Sequence, residues 1–546
     1  MNRFNLLEEA WIPVKGRTEL IKICEIVHPD ILGLDAPRAD FNAALMQFLI
    51  GLLQTVFAPD TPRAWRNFYS SPPTETELQD KLNTIKEAFY LDGDGYRFMQ
   101  DISIKDKGNH ASILKLLPGL VGDNTVKKNM DFFVKSSQLS KISISNMVVG
   151  FYLYQNYCLS ETGGSKARHH GSLRGRNSLI ALVNKDKGNL WENIWLNIIQ
   201  KNNFKNLIVN GTDNYVFEWM QSKPSEKQKT DNDIGLADIY WSMPRRVLVD
   251  FSELKNQVCD LTNKKVLTVK NISIKENGIE YKTNYIKHPL IPYRVAEITK
   301  KDLTGGVRPI KLKATGINYG DWLALIGNET ASENLLEHVR RKLDGDFNIF
   351  VCGYLNDSTQ AKTSCWYQTK MPFYLTSSST EQKTELEAEV DKYIKVSKAV
   401  CDYLVIAIRN AWFDENDEKN KKQKESFNKD RAAEISKCFW NKTESAFYEI
   451  VKSLYVNSTQ STDDLKIQHR KDWYEYIKSE TLKLFDEWAF KSSIQTNPRR
   501  ISIAYNYRRQ IESKGKSYLI DVGLINKLNS EFLKDIIGLP KEHDNE

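Results

Sequence analysis

Four glycines and four cationic side chains share the sixteen residues from Thr162 to Asn177, a segment with few apolar residues. Lacking a Cβ, Gly163, Gly164, Gly171 and Gly175 let backbone N–H groups come close to phosphate oxygens or base edges, and Lys166, Arg168, Arg174 and Arg176 attract them. With Glu161 just before it the stretch carries a net charge of +3. The chemistry implied is contact with a polyanion. Neither GxxxxGK[ST] nor GxGxxG spacing occurs, which disfavours a mononucleotide site. A solvated surface loop is the alternative that these residues leave open.

Two further segments carry similar chemistry. From Phe350 to Tyr367 an apolar run stops at Gly353-Tyr354 and resumes at Cys365-Trp366-Tyr367. Asn356, Gln360 and Lys362 lie in the polar finger between, where they can hydrogen-bond to bases or phosphates; from the pattern alone an ordinary hairpin turn is the favoured reading. Between Gly119 and Lys141, Lys127, Lys128, Lys135 and Lys141 surround Phe132 and Phe133, a mixture that suits stacking on single-stranded nucleotides or simply two buried rings beside a lysine face. Near the end of the chain, Arg499, Arg500, Arg508 and Arg509 return to neighbouring faces of a helix as a cationic edge, fit for phosphate contact or for solubility.

Catalytic chemistry is not legible. The eight histidines form no HExxH or HxH, and the seven cysteines are scattered without a CxxC pair, so neither a disulfide framework nor a metal site is expected. Asp92 and Asp94 in LDGDG lack the distant glutamate of a calcium loop and read as a tight turn. No GxSxG elbow is present. Basic residues number 77 and acidic residues 70, a net +7 over 546 residues, so any nucleic-acid surface must come from local clustering.

The elements that would position these segments are mixed. Up to about Tyr374 short β-rich runs (Lys205 to Val209, Val247 to Phe251, Val266 to Ile274, Phe347 to Cys352) alternate with helical stretches. Polar residues 376–384 read as a linker. Beyond it, apolar residues recur at three- and four-residue steps through Leu386, Val390, Ile394, Cys401, Leu404, Ile408 and Trp412, then Phe427 to Ile450, then Trp473 to Trp488, then after Pro498. The fold class expected is α+β: a large irregular mixed domain, residues 1–375, followed by an all-α four-helix bundle, residues 385–546. The charge run Glu415 to Glu425 reads as a solvated connection between two bundle helices. Ala43 to Ala58 is apolar but contains Gln47, Gln54 and Thr55, and reads as a buried helix rather than a membrane span. MNRFNLLEEAWIPV lacks the continuous apolar core of a signal peptide, so a cytoplasmic location is expected.

Together these segments resemble the CasA-type large subunit of the type I-E CRISPR Cascade surveillance complex. The resemblance rests on Phe4-Asn5-Leu6-Leu7 with Trp11-Ile12-Pro13-Val14, on Ala58-Pro59, on Phe98-Met99-Gln100, on the glycine segment with its Gly171-Ser172-Leu173-Arg174-Gly175 exit, on Gly353-Tyr354 with Cys365-Trp366-Tyr367, and on the Pro498 to Gln510 helix. It covers essentially the whole chain.

The resemblance implies a non-enzymatic subunit at the 5′-handle end of a guide RNA that recognises the protospacer-adjacent motif in double-stranded DNA, helps open the duplex, and presents a surface to a helicase-nuclease. Gly163, Gly164, Lys166 and Arg168 would then read the motif from the minor groove, joined by a lysine on a β-hairpin, Lys270 or Lys275. Asn356, Gln360 and Lys362 would form the wedge, with Gln360 at its tip, and Asn129, Phe132 and Phe133 would meet the RNA handle and a backbone subunit. The bundle would contact the displaced non-target strand through Arg499, Arg500, Arg508 and Arg509, together with the small subunits. Some relatives carry a four-cysteine zinc knuckle; here Cys259 stands alone, and no metal or other cofactor is expected. A metal-dependent nuclease and a purely structural partner-binding protein are the competing readings.

Overall fold

The computed structural model describes residues 3–105, 108–118, 139–157, 178–208, 217–221, 228–275, 278–283, 286–295, 307–313, 315–327, 330, 332–341, 343, 347–357, 362–374, 379–413, 421–456, 463–490 and 497–512. The chain divides into two compact units, Met1–Leu312 with Asn328–Phe373, and Lys313–Gly327 with Tyr374–Glu546.

The first unit is built around α1 (Ala39–Val56), α2 (Ile144–Tyr157), α3 (Leu190–Trp195) and α4 (Leu236–Trp241). Phe48 of α1 sits at the centre of an aromatic cluster, meeting Trp11, Phe98, Tyr152 and Trp241 edge to face at 5.4–5.8 Å. Each such pair adds about 0.5–1.5 kcal/mol beyond its area burial. The glutamines that argue against a membrane span are satisfied inside the core. Gln47 donates to Ala43 O and to the Tyr157 hydroxyl, and Gln54 exchanges two bonds with the Ile199 backbone. Among the described residues α1 alone is long and apolar enough to cross a membrane, and 72% of it is buried within the protein.

Two of the short motifs prove to be packing devices. Leu6, Leu7, Trp11, Ile12 and Val14 are all 1% exposed or less. Met99 adopts a left-handed backbone, φ 52°, an uncommon state for a residue with a Cβ. It turns Gln100 so that its amide bridges Leu91 O and Val249 N, both at 2.9 Å.

Among the described residues, five small sheets complete the unit. Strands β1 (Asn109–Ser112), β8 (Asn271–Lys275) and β5 (Arg246–Asp250) lie side by side, as do β2 (Ile142–Ser143), β7 (Lys265–Val269) and β6 (Lys255–Val258). Strands β4 (Gln228–Thr230) and β9 (Glu280–Lys282) pair in parallel, and β10 (Tyr293–Val295) and β11 (Val307–Pro309) antiparallel. The fifth sheet has the order β13-β12-β3, with β3 at Ile180–Lys185, β12 at Phe347–Asp357 and β13 at Lys362–Phe373.

The second unit contains α5 (Thr380–Trp412), α6 (Lys421–Val456), α7 (Asp463–Phe490) and α8 (Pro498–Glu512). The apolar stripe of α5 is its buried face: Leu386, Val390, Ile394, Cys401, Leu404 and Ile408 are each 8% exposed or less, while Trp412 is half-buried. The fold is α+β with a C-terminal helical region. Two boundaries differ from the sequence reading. Helix α5 begins inside the expected linker, because Ser379 and Gln382 form a reciprocal capping box that satisfies the first-turn amides. Lys313–Gly327 belongs to the helical unit, because its Tyr319 stacks on Phe447 at 4.2 Å and its hydroxyl bonds Thr443 at 2.9 Å.

Candidate nucleic-acid interface

Among the described residues, the hairpin β12–β13 carries one of the candidate segments. It pairs from Phe347↔Phe373 out to Asp357↔Lys362, with a register shift at Leu355/Asn356 that adds local twist. From Phe347 to Cys352, β12 is also paired to β3; from Gly353 outward β13 is its one strand partner among the described residues. Asn356 and Lys362 thus stand at the outer end of a two-stranded ribbon, on opposite strands. Gln360 lies outside the described residues, as do Gly163, Gly164, Lys166 and Arg168, and Asn129, Phe132 and Phe133.

A two-stranded ribbon is marginal in water unless something holds it. Here the anchor is Tyr354, 3% exposed, which lies across from Trp366 with ring centroids 4.8 Å apart. Tyr157, the last residue of α2, meets both rings edge to face at 5.6 and 6.2 Å. The Tyr354 hydroxyl donates to the Asp40 carboxylate, and Arg38 donates to the same carboxylate through Nε at 2.9 Å and Nη2 at 2.6 Å. Arg38 Nη2 also donates to Pro118 O at 2.8 Å. Burial, reinforced by the neighbouring Asp40 charge, pushes the Tyr354 phenol far above its ordinary range, so it remains a donor. Gly353 lets β12 pass close to the Ser178 backbone: a Cβ there would lie 3.3 Å from Ser178 O.

The cluster thus joins the start of α1, Pro118, the end of α2 and the base of the finger. Arg38 and Asp40 were missed by sequence reasoning. Their only signal is an Arg-x-Asp at the entry of an apolar helix, which reads as an ordinary helix start with an acid in the first turn.

The lysine candidates separate. Lys270 is the link between β7 and β8, its carbonyl accepting from Ile113 N and its ammonium 3.6 Å from Glu253. Lys275 ends β8 opposite the buried Arg246. Neither occupies a hairpin turn. The hairpin in this region is β6–β7, and Lys264 and Lys265 are exposed at its turn. That turn is tied down by Asp260, whose carboxylate accepts from Ser140 N at 2.6 Å and Lys141 N at 3.0 Å. Burial alone would raise the Asp260 pKa, but those amides and the Lys141 ammonium outweigh it and hold the carboxyl below its ordinary value. Cys259 lies in the same turn with its Sγ accepting from Ser143 N at 3.3 Å.

In the bundle, Arg499 is exposed at the start of α8 and Arg500 half-buried, their amides capped by Asn497 Oδ1. Arg508 is gripped by Asp486 at 2.8 and 3.1 Å and by Glu512 at 2.9 Å, and Arg509 donates to Asn506. No cluster of three or more His, Cys, Asp or Glu side chains suited to a metal ion occurs among the described residues. The Asp92 carboxylate accepts from Phe4 N at 2.9 Å beside Gly93 at φ 95°, which makes LDGDG a turn.

The fold of this chain, a mixed α+β unit and a bundle of long helices, is similar to those of several solved CRISPR-associated proteins. Residues 5–484 match the family model described as CRISPR-associated protein Cse1, and the chain belongs to that family. Its fold is similar to Thermus thermophilus CasA (Cse1), with a TM-score of 0.64 at 15% identity, covering 94% of this chain and 99% of that one. It is likewise similar to Thermobifida fusca Cse1, TM-score 0.65 at 15% identity over 95% of this chain and 98% of that one. A chain of a CRISPR RNA-guided surveillance complex aligns with a TM-score of 0.63 at 14% identity, over 94% of this chain and all of that one. No curated protein matches.

Proposed function

We propose that this chain is the non-catalytic large subunit of a cytoplasmic, RNA-guided type I-E CRISPR surveillance complex. It recognises the protospacer-adjacent motif in double-stranded target DNA, wedges the duplex open beside it, and helps recruit a helicase-nuclease. Membership of the Cse1 family carries the reading, and the hairpin β12–β13, anchored through Tyr354 to Asp40, supports it.

In this division of labour, protein contacts read a short flanking motif while base pairing to the guide reads the rest. The RNA–DNA hybrid is about as stable as the duplex it replaces, so contacts worth a few kcal/mol decide whether opening begins. Gly163, Gly164, Lys166 and Arg168 supply close backbone approach and charge at the minor groove. The accompanying hairpin lysine is drawn from Lys270, Lys275 and, by their place at the β6–β7 turn, Lys264 and Lys265. Asn356, Gln360 and Lys362 carry the wedge, and Asn129, Phe132 and Phe133 face the guide-RNA handle and a backbone subunit. On the bundle, Arg499, Arg500, Arg508 and Arg509 face the non-target strand, Arg508 from a side chain held by Asp486 and Glu512.

The reading is tested by assembling the complex with guide RNA and measuring its affinity for duplexes with and without the flanking motif. Motif-dependent binding is expected; equal affinity for both duplexes would overturn it.

A further inference from the structure

We infer that Asp40 is a positioning residue for duplex opening, fixing the direction of the β12–β13 finger at its base. The inference rests on the wedge role proposed above and deepens it.

Beyond Cys352 the finger has no second strand beside β12 among the described residues, so its direction is set by side chains. The polar part of that anchor is a single carboxylate. Asp40 is 3% exposed and receives the Tyr354 hydroxyl, two Arg38 N–H groups and the Phe41 amide at 3.0 Å. Arg38 in turn holds Pro118 O, and Tyr354 packs on Tyr157. The finger therefore cannot swing at its base without breaking charge-assisted bonds in a dry site, where an unpaired group is costly. Replacing Asp40 by Asn keeps the volume but removes the charge that Arg38 pairs with. Replacing Tyr354 by Phe keeps the ring and removes one bond.

The test uses the assembled complex and two targets carrying the same flanking motif: a full duplex, and a duplex whose first base pairs beside the motif are mismatched and already open. For Asp40→Asn, binding to the full duplex is expected to fall about tenfold or more, while binding to the pre-opened target stays within about twofold of wild type. Tyr354→Phe is expected to show the same split at smaller size, and it serves if the Asp40→Asn chain fails to assemble. A fluorescent base analogue beside the motif should report slower unstacking in both variants. An equal loss on both targets would mean that Asp40 merely supports folding, and no loss on either that the finger needs no such anchor; each overturns the inference. If the wild-type complex does not discriminate the motif at all, the function proposed above falls, and this inference with it.

Discussion

Tyr354 and Asp40 are 314 positions apart in the chain, yet the hydroxyl of one donates to the carboxylate of the other in a buried site. The bond joins the outer half of a β-ribbon to the first turn of the core helix α1. Arg38 extends it to Pro118, and the Tyr354 ring extends it to Tyr157.

Removing the Tyr354 hydroxyl is expected to destabilise the protein by about 1.5–3 kcal/mol, the usual worth of a hydrogen bond to a charged acceptor. Arg38→Ala should cost more, because it leaves the Asp40 carboxylate buried with its cation gone. Urea denaturation of the three proteins checks both; a Tyr354→Phe midpoint equal to wild type would contradict the first.

Gly164→Asp places a side chain and a negative charge where close approach to DNA is proposed. Affinity for motif-bearing duplex is expected to fall about tenfold or more, with guide-RNA assembly intact. Filter binding and size-exclusion chromatography of the assembled complex read the two effects separately.

Each lysine that neutralises a phosphate contributes about 0.9 to the slope of log affinity against log salt. Replacing Lys264 and Lys265 by Ala is therefore expected to flatten the slope for duplex DNA by about 1.8 if both touch phosphate. Lys270→Ala, whose ammonium lies 3.6 Å from Glu253, should change it little. A reversed order would return the minor-groove role to Lys270.

Asp260 has its carboxyl held below the ordinary 3.8 in the folded state, against the cost of its own burial, by the Ser140 and Lys141 amides and the Lys141 ammonium. A depressed carboxylate stabilises the fold fully above its unfolded pKa, about 3.9, and that contribution is lost as pH falls from there through the folded value. Asp260→Asn should thus lower stability at pH 7 and flatten the acid limb below about pH 4, read by thermal denaturation across pH. Unchanged curves would show that the turn does not depend on the charge.

If the chain is non-catalytic, incubation with labelled DNA and Mg²⁺ or Mn²⁺ is expected to leave the DNA intact, and EDTA should not shift the melting temperature. Metal-dependent cleavage that disappears on replacing acidic residues would favour the nuclease reading instead.

The bundle was legible because its helices are long. Over 33 residues of α5 a period near 3.6 repeats often enough to expose one buried face, and Leu386, Val390, Leu404 and Ile408 all lie on it. The start of α5 was harder to read, since Ser379 looks like linker until its capping partner Gln382 is seen to close on it. The finger was also visible, as two apolar runs around a polar gap, and its register follows from that pattern. Lys270 and Lys275 show the limit: β-rich residues from Val266 to Ile274 read as one run, whereas the chain changes sheets at Lys270, and the hairpin turn falls upstream at Lys264 and Lys265.

The amino-acid sequence by itself determined the class of fold, the buried faces of the long helices and the three segments rich in glycine, cations or polar tips, because periodicity and composition are local properties. Which residues hold the base of the β12–β13 ribbon was decided only by the tertiary structure. Arg38, Asp40, Tyr157 and Tyr354 are remote in the chain and ordinary in type, and the low-polarity site that makes their bonds strong exists only once α1, α2 and the β12–β13 ribbon have packed against one another.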